Sequence, residues 1–190
     1  MKKVAFLAII IGLGITTITT QSCKKDDNPS PVTPAPTLYD SLGGTTLVAD
    51  PTAAAGTTIE AGRLLIRNII DSTIFVIAGD NAINGHFTVL LAEVTAGNLS
   101  GFQELSKNLT DFVAAGTGST HYTYSGLSMV AAHNPAQNPR MNNKATNADM
   151  NAFEADLFTG AGRAGVPSTT PALISVGRIV ESLRSQVVQM

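Results

Sequence analysis

The chain has 190 residues, and its 12 Lys and Arg against 14 Asp and Glu give a formal net charge of −2. This near balance excludes the clustered basic surface that nucleic-acid binding requires. A single Cys excludes a disulfide framework and a thiolate metal cluster.

The N-terminus has the pattern of an export signal. Lys2 and Lys3 precede an apolar run over residues 4–15, and a Thr-rich stretch separates that run from Cys23. A basic start, a short apolar core and a small-residue exit are typical of a secretory signal peptide. The sequence therefore predicts a signal peptide over residues 1–22. The alternative is an ordinary secreted protein in which Cys23 has no special role.

The residues around Cys23 resemble the lipobox and tether of a Bacteroidota lipoprotein. Residues 20–23 (TQSC) lack the usual Leu of that motif, and KKDDNPSP follows the Cys. The resemblance implies cleavage before Cys23, acylation of its thiol and new α-amine, and anchoring in the outer membrane, facing the periplasm or the surface. Residues 23–36 hold four prolines and four charges and are predicted to be an extended tether. Residues 37–190 are then the folded domain.

The first clear helical pattern of this domain spans residues 57–78. Its apolar residues recur at the spacing of one helical face. They are Ile66, Ile69, Ile70, Ile74 and Ile77. The β-branched run over residues 72–77 leaves a strand there as the alternative.

A second helix is predicted to start at residues 100–103 (SGFQ), which have the form of a capping box. Phe102, Leu105, Leu109, Phe112 and Val113 follow at helical spacing. Irregular segments are predicted over residues 50–56, 116–126 and 134–144.

Two more helices are predicted near the C-terminus. Thr146 with Asp149 offers a capping box, and Gly165 is placed to end that helix. Thr170 then caps a last helix with Pro171 in its first turn. The apolar face of that last helix comprises Leu173, Val176, Ile179, Val180, Leu183 and Val187. The fold class predicted by these patterns is all-α.

Few residues are candidates for chemistry. The sequence has three histidines, His86, His121 and His133, and none of the common nucleophile, phosphate-loop or zinc-helix motifs. His133 ends a short apolar segment, residues 127–132, whose small side chains leave room for a bulky group. A histidine at a helix end is either a satisfied polar group or a ligand, and the spacing alone does not decide between them.

The order of several local patterns resembles a group I truncated haemoglobin, the small two-over-two helical relative of the globin fold. The resemblance rests on LYDSLGG at residues 38–44, IIDSTIFVIAGD…HF at 69–87, LSKNLTDFVAAGTG at 105–118, YSGLSMVAAH at 124–133 and AGVPSTTPALISVGRIVESL at 164–183. Two segments depart from the family: an insertion at residues 48–60, and a longer loop at residues 134–144, directly after His133.

This resemblance implies that His133 is the axial ligand of a haem iron. Its other ring nitrogen is expected to donate to a backbone carbonyl or water. Phe87 is expected to lie against the macrocycle. The slot is expected to be lined by Leu105, Leu109, Phe112, Tyr124, Met129, Met150 and Phe153.

The distal wall departs from the family pattern. Family members usually place Tyr and often Gln there as hydrogen-bond donors to oxygen. The matching positions here are Ile74, or Phe75 if the alignment slips by one, together with Leu105 and Leu109. All of them are apolar, which predicts weak oxygen retention, fast autoxidation and preserved binding of carbon monoxide or nitric oxide. The alternative is that His86 or His121 occupies the sixth coordination position.

The function that the resemblance implies is a lipid-anchored, haem-binding globin of the cell envelope that binds a diatomic gas (oxygen, nitric oxide or carbon monoxide) or holds haem itself. Redox turnover would need an external electron donor, so the chain is not predicted to be an enzyme by itself. The alternative is a haem-free helical lipoprotein that acts as a structural or partner-binding module. A glycan- or solute-capturing lipoprotein is a third interpretation, which the absence of Trp disfavours.

Overall fold

A computed structural model describes residues 34–190 of the chain. The predicted signal peptide over residues 1–22, the acylated Cys23 and the tether up to residue 33 lie outside the described residues. The described part is mostly helical, as the sequence predicts. Its helices are α1 (Leu38–Ser41), α2 (Ala61–Gly79), α3 (Thr88–Thr95), α4 (Ser100–Gly116), α5 (Met129–Ala132), α6 (Asn147–Arg163), α7 (Pro171–Glu181) and α8 (Arg184–Val187), with a 3₁₀ turn at Asn84–Phe87.

A small hairpin precedes α2 where the sequence predicted the start of a helix. Strands β1 (Leu47–Ala49) and β2 (Thr58–Glu60) pair antiparallel, with Val48 opposite Ile59. The prediction that the helix begins at residue 57 is therefore wrong, because it begins at Ala61. The turn at residues 50–56 brings a second strand alongside, and β-branched residues favour the extended backbone once such a partner is present.

Helix α2 lies at the centre of the domain. It contacts α6 most extensively and α4 next, and α6 also packs against α7. The five predicted core isoleucines of α2 are all buried, so the predicted helical face is confirmed and residues 72–77 do not form a strand. Gly160 of α6 lies directly against the backbone of Thr73, which brings the two helix axes close together.

The predicted capping box does not form at the start of α4, where a different side chain accepts a hydrogen bond from the free amide. Leu99 occupies the cap position and makes no side-chain capping bond, whereas Ser100 is already helical. The amide of Ser100 instead donates to Oδ1 of Asn98 at 3.1 Å. The box prediction is therefore wrong, since an Asx side chain two residues upstream satisfies the free amide first.

The ends of α6 are those predicted from the sequence. Thr146 and Asp149 exchange both bonds of a capping box. Gly165 has a positive φ of 83°, and the amide of Val166 donates to the carbonyl of Ala161 at 2.9 Å. These are the features of a Schellman C-cap, which satisfies the last carbonyls of the helix.

The last predicted helix is divided in two. Helix α7 begins with Thr170 in the cap position and Pro171 in the first turn, although the Thr170 side chain makes no capping bond. It ends at Glu181, and α8 carries Val187. The prediction of one unbroken helix is wrong, because the chain turns at Ser182 and Leu183 between α7 and α8. After α8, Val188 forms a bridge with Ala145, which precedes α6.

None of the described helices is, on its own, long and apolar enough to cross a membrane. Helix α2 and the segment Asn84–Thr95 meet the length and apolarity criteria only as a pair, and the two are bent by 105° relative to each other.

Candidate functional site

A cavity of about 520 Å³ opens between the helices on one side of α2. Its wall is made by side chains of α2, α3, α4, α6, α7 and α8 and by the segments that flank α5. Most of these side chains are apolar. Pockets for small organic molecules and cofactors have volumes of about 300–1,000 Å³ and the same apolar character, so the cavity has the size and lining of a cofactor site.

His133 lines this cavity directly after α5. The short helix begins at Ser128, whose hydroxyl accepts from the amide of Ala131 at 3.2 Å. Nδ1 of His133 lies 2.8 Å from the carbonyl oxygen of Met129, one turn earlier. A carbonyl only accepts, so Nδ1 must carry the proton and Nε2 must hold the free lone pair. Within residues 34–190, Nε2 has no hydrogen-bond partner.

The surroundings of His133 keep its ring neutral. Burial lowers the pKa of the imidazole below its usual value, the bond to Met129 opposes that shift, and the nearby His86 adds to it. A neutral imidazole with one free nitrogen is the state that binds a metal. His133 therefore has the protonation and hydrogen bonding of a preoriented ligand.

The other residues predicted to line the slot lie in the wall of the same cavity. Phe87 ends the 3₁₀ turn, and Tyr124 precedes α5 and packs edge-on against Phe112 with ring centroids 5.4 Å apart. The cavity wall contains Phe87, Leu105, Leu109, Phe112, Tyr124, Met129, Met150 and Phe153. Positions far apart in the sequence thus converge around His133.

Of the two alternatives for the distal position on α2, the structure places only Ile74 in the cavity wall. Phe75 lies outside it, is 64% exposed and packs against Phe102. Successive helical residues are turned by about 100°, and this rotation directs Phe75 toward Phe102 and solvent. Phe75 is therefore excluded from the wall by the register of α2.

The remaining histidines have different surroundings. His121 is absent from the cavity wall, and its Nδ1 lies 2.5 Å from Oε1 of Glu60. His86 does line the cavity, with Nδ1 2.8 Å from the carbonyl of Asn142 and Nε2 3.2 Å from Oδ2 of Asp149. Both ring nitrogens of His86 therefore face oxygen acceptors.

Several wall residues were not identified from the sequence. Ile83 directly precedes the 3₁₀ turn, and Leu90 and Leu91 come from α3. Arg140 and Met141 come from the loop after His133. The spacing of residues 83, 87, 90 and 91 is itself helical and is a signal that predicts α3. The polar wall residues on α4, Glu104 and Asn108, carry no comparable signal.

No group of three or more His, Cys, Asp or Glu side chains within residues 34–190 is arranged to hold a bare metal ion. A single imidazole in an apolar cavity fits instead a metal that brings most of its own ligands, as an iron porphyrin does.

No known family model matches the chain, and no curated protein is similar to it in sequence.

Proposed function

We propose that this domain binds haem through His133 and is a gas-binding globin held in the cell envelope by a lipid anchor. One observation carries the proposal: a neutral histidine lines a large apolar cavity with Nδ1 tied to a backbone carbonyl and Nε2 without a partner among the described residues. Haem supplies an iron with an open coordination position at which a small gas binds reversibly.

The chain's own residues meet the other needs of a flat apolar cofactor. Phe87, Met150 and Phe153 supply apolar surface from three separate elements. Such a wall excludes water and leaves His133 as the anchoring group. The hydrogen bond from Nδ1 to Met129 fixes the plane of the imidazole and raises its basicity, as is usual for metal-bound histidines.

The packing of the helices supports a two-over-two globin frame. Helix α2 packs against α4, α6 packs against α7, and the contact between α2 and α6 joins the two pairs. The hairpin at residues 47–60 is additional to that frame, and none of its described residues lines the cavity. The insertion thus leaves the proposed site unaltered.

The wall on α2 and α4 favours particular gases. Ile74, Leu105 and Leu109, at the positions matched to the distal wall of the family, carry no hydrogen-bond donor. The hydroxyl of Thr73, also in the wall, is already donated to the carbonyl of Ile69 at 2.8 Å. Nitric oxide and carbon monoxide depend less on such a donor than oxygen does, so we propose one of them as the ligand held longest.

The proposal is tested by adding haem to residues 24–190 and recording the absorption spectrum. We expect a Soret band that saturates at one haem per chain and is lost in His133→Ala. His121→Ala is the matched control, because His121 lies off the cavity wall and should leave the band unchanged. A wild-type chain that gives no saturable band would instead indicate the haem-free helical module.

The envelope location is a separate part of the proposal and rests on the sequence around Cys23 alone. A lipid anchor would place the gas site at the outer membrane. Any redox turnover there would need an electron donor from another protein.

A further inference from the structure

The loop that follows His133, residues 134–144, forms part of the cavity wall. Asn138, Arg140 and Met141 line the cavity, and Met141 is only 7% exposed. Arg140 and Glu104 line the cavity as well, yet their side chains are 36% and 61% exposed. Residues that line a cavity and also contact solvent mark its mouth, so the loop lies across the opening.

Arg140 ties this loop to two helices. Its Nε lies 3.1 Å from each carboxylate oxygen of Glu93 on α3, and its Nη1 lies 2.7 Å from Oε2 of Glu104 on α4. The guanidinium of Arg140 thus joins the loop to α3 and α4 through hydrogen bonds between charged side chains. We call Arg140, Glu93 and Glu104 the rim triad.

The first turn of α4 leaves space for the side chains of Glu93 and Arg140. A methyl group on Gly101 would overlap Oε2 of Glu93 and come within 3.0 Å of Nε of Arg140. Only glycine leaves room for the carboxylate and the guanidinium to meet beside the helix.

The far end of the loop is held differently. The backbone of Asn142 pairs with His86 on both sides, since its amide donates to the carbonyl of His86 at 2.9 Å and its carbonyl accepts from Nδ1 of His86 at 2.8 Å. Partly exposed ion pairs are individually weak, whereas backbone pairing next to a buried side chain opens less readily. The ion pairs of Arg140 are therefore the contacts of this loop that open first.

From this geometry we infer that the rim triad is an ionic latch that keeps the loop closed over the cavity and sets the rate at which the bound cofactor leaves. The inference rests on the proposed haem function. It adds that the loop at residues 134–144, which is longer than in the family that the sequence resembles, controls how long the cofactor is retained. The charges of the rim triad contact solvent, so this control should respond to salt.

The test measures haem transfer from the holoprotein to an excess of apomyoglobin, followed at the Soret band. In Arg140→Ala we expect transfer about three- to tenfold faster than in the wild type, because two partly exposed ion pairs are lost. Gly101→Ala, which displaces Glu93 without removing a charge, should also speed transfer. Arg178→Ala is the matched control, since Arg178 is exposed and forms no ion pair among the described residues.

Salt gives an independent measurement on the unmodified chain. Raising the ionic strength to about 0.5 M should speed haem loss from the wild type and leave Arg140→Ala unchanged, because it screens exposed charges. Equal loss rates in Arg140→Ala and wild type, with no salt effect on either, would overturn the latch alone. A chain without a saturable Soret band would overturn the proposed function first, so the two failures are distinct.

Discussion

The state of His133 depends on a backbone carbonyl four residues earlier. Without the bond to Met129, either ring nitrogen would carry the proton, and the free lone pair would be divided between two orientations. Because burial lowers the pKa of His133, its proton is lost at a lower pH than from an exposed histidine. The ring is then neutral at physiological pH and available to a metal.

The side chain of Asp156 on α6 is buried, and one of its carboxyl oxygens has no hydrogen-bond partner among the described residues. It is 7% exposed, and its Oδ2 has no hydrogen-bond partner within residues 34–190. Burial raises its pKa, repulsion from Asp80 raises it further, and Arg163 only partly opposes the shift. A carboxyl whose folded pKa is raised supports the fold below its unfolded pKa and loses that support as the pH rises through the folded value.

Asp156→Asn should therefore stabilise the domain by about 1 kcal/mol at pH 7. The gain should disappear below about pH 3.9, where the unfolded carboxyl is also protonated. Urea unfolding at both pH values measures the difference. Asp149→Ala on the same helix is the control with the opposite sign, because it removes a capping-box carboxylate whose pKa is lowered. A destabilised Asp156→Asn at pH 7 would contradict this interpretation of the site.

We attribute the proposed weak retention of oxygen to the apolar side chain of Ile74, which offers no hydrogen-bond donor to the cavity. Ile74→Tyr should add a donor to the cavity wall and slow oxygen release from the ferrous protein by about 10- to 100-fold, the equivalent of one hydrogen bond to a charged group. Phe75→Tyr adds the same hydroxyl one residue later, outside the cavity, and should leave the rate unchanged. Stopped-flow dissociation measures both. Equal effects of the two variants would show that the hydroxyl does not act through the cavity.

At the scale of elements, the close contact between α2 and α6 depends on a glycine, Gly160, which has no side chain. A Cβ on Gly160 would lie 2.6 Å from the backbone nitrogen and Cα of Thr73. Backbone atoms cannot move aside as a flexible side chain would, so the helices would have to separate. Gly162, two residues later on α6, faces open space.

Gly160→Ala should destabilise the domain by about 1–3 kcal/mol through overpacking. Gly162→Ala should instead stabilise it by about 0.5–1 kcal/mol, since alanine is the better helix former and nothing blocks its methyl group. Thermal unfolding of the two variants beside the wild type gives both signs. Equal changes in stability would mean that the close helix contact is absent.

The elements that could be predicted from the sequence are those with a local physical signal. The isoleucine face of α2 and the capping box at Thr146 act within one or two helical turns, so periodicity and cap chemistry predict them. The positive-φ stop at Gly165 is equally local. The residues predicted to line the cavity have no such local signal, because they were implied by the family resemblance.

Some of the features that were mispredicted or missed depend on partners distant in the sequence. Residues 58–60 are extended because β1 lies beside them, and Val188, directly after α8, pairs with Ala145. Arg140 lies in the cavity wall, where it pairs with Glu93 and Glu104, residues far from it in the sequence. A pattern within one segment carries no information about such long-range contacts.

At the scale of the whole molecule, one hydrogen-bond network lies apart from the cavity. The cavity wall is largely apolar, whereas a buried hydrogen-bond network joins α1 to the hairpin and to the segment after α4. Tyr39 donates to Oε2 of Glu60 at 2.7 Å, and Oε1 of Glu60 accepts from His121. Burial opposes ionisation of Glu60, but the bonds from His121 and Tyr39 lower its pKa overall. The network fixes the hairpin without any of its residues entering the cavity wall.

The central claim is that the imidazole of His133 is an iron ligand, and replacing that imidazole by one from solution tests it most directly. His133→Gly mixed with haem should show a weak, shifted Soret band, and millimolar imidazole should restore the wild-type spectrum. His121→Gly should match the wild type with or without imidazole. If imidazole fails to restore the spectrum of a folded His133→Gly chain, or if that chain keeps the wild-type spectrum without it, His133 is not the ligand.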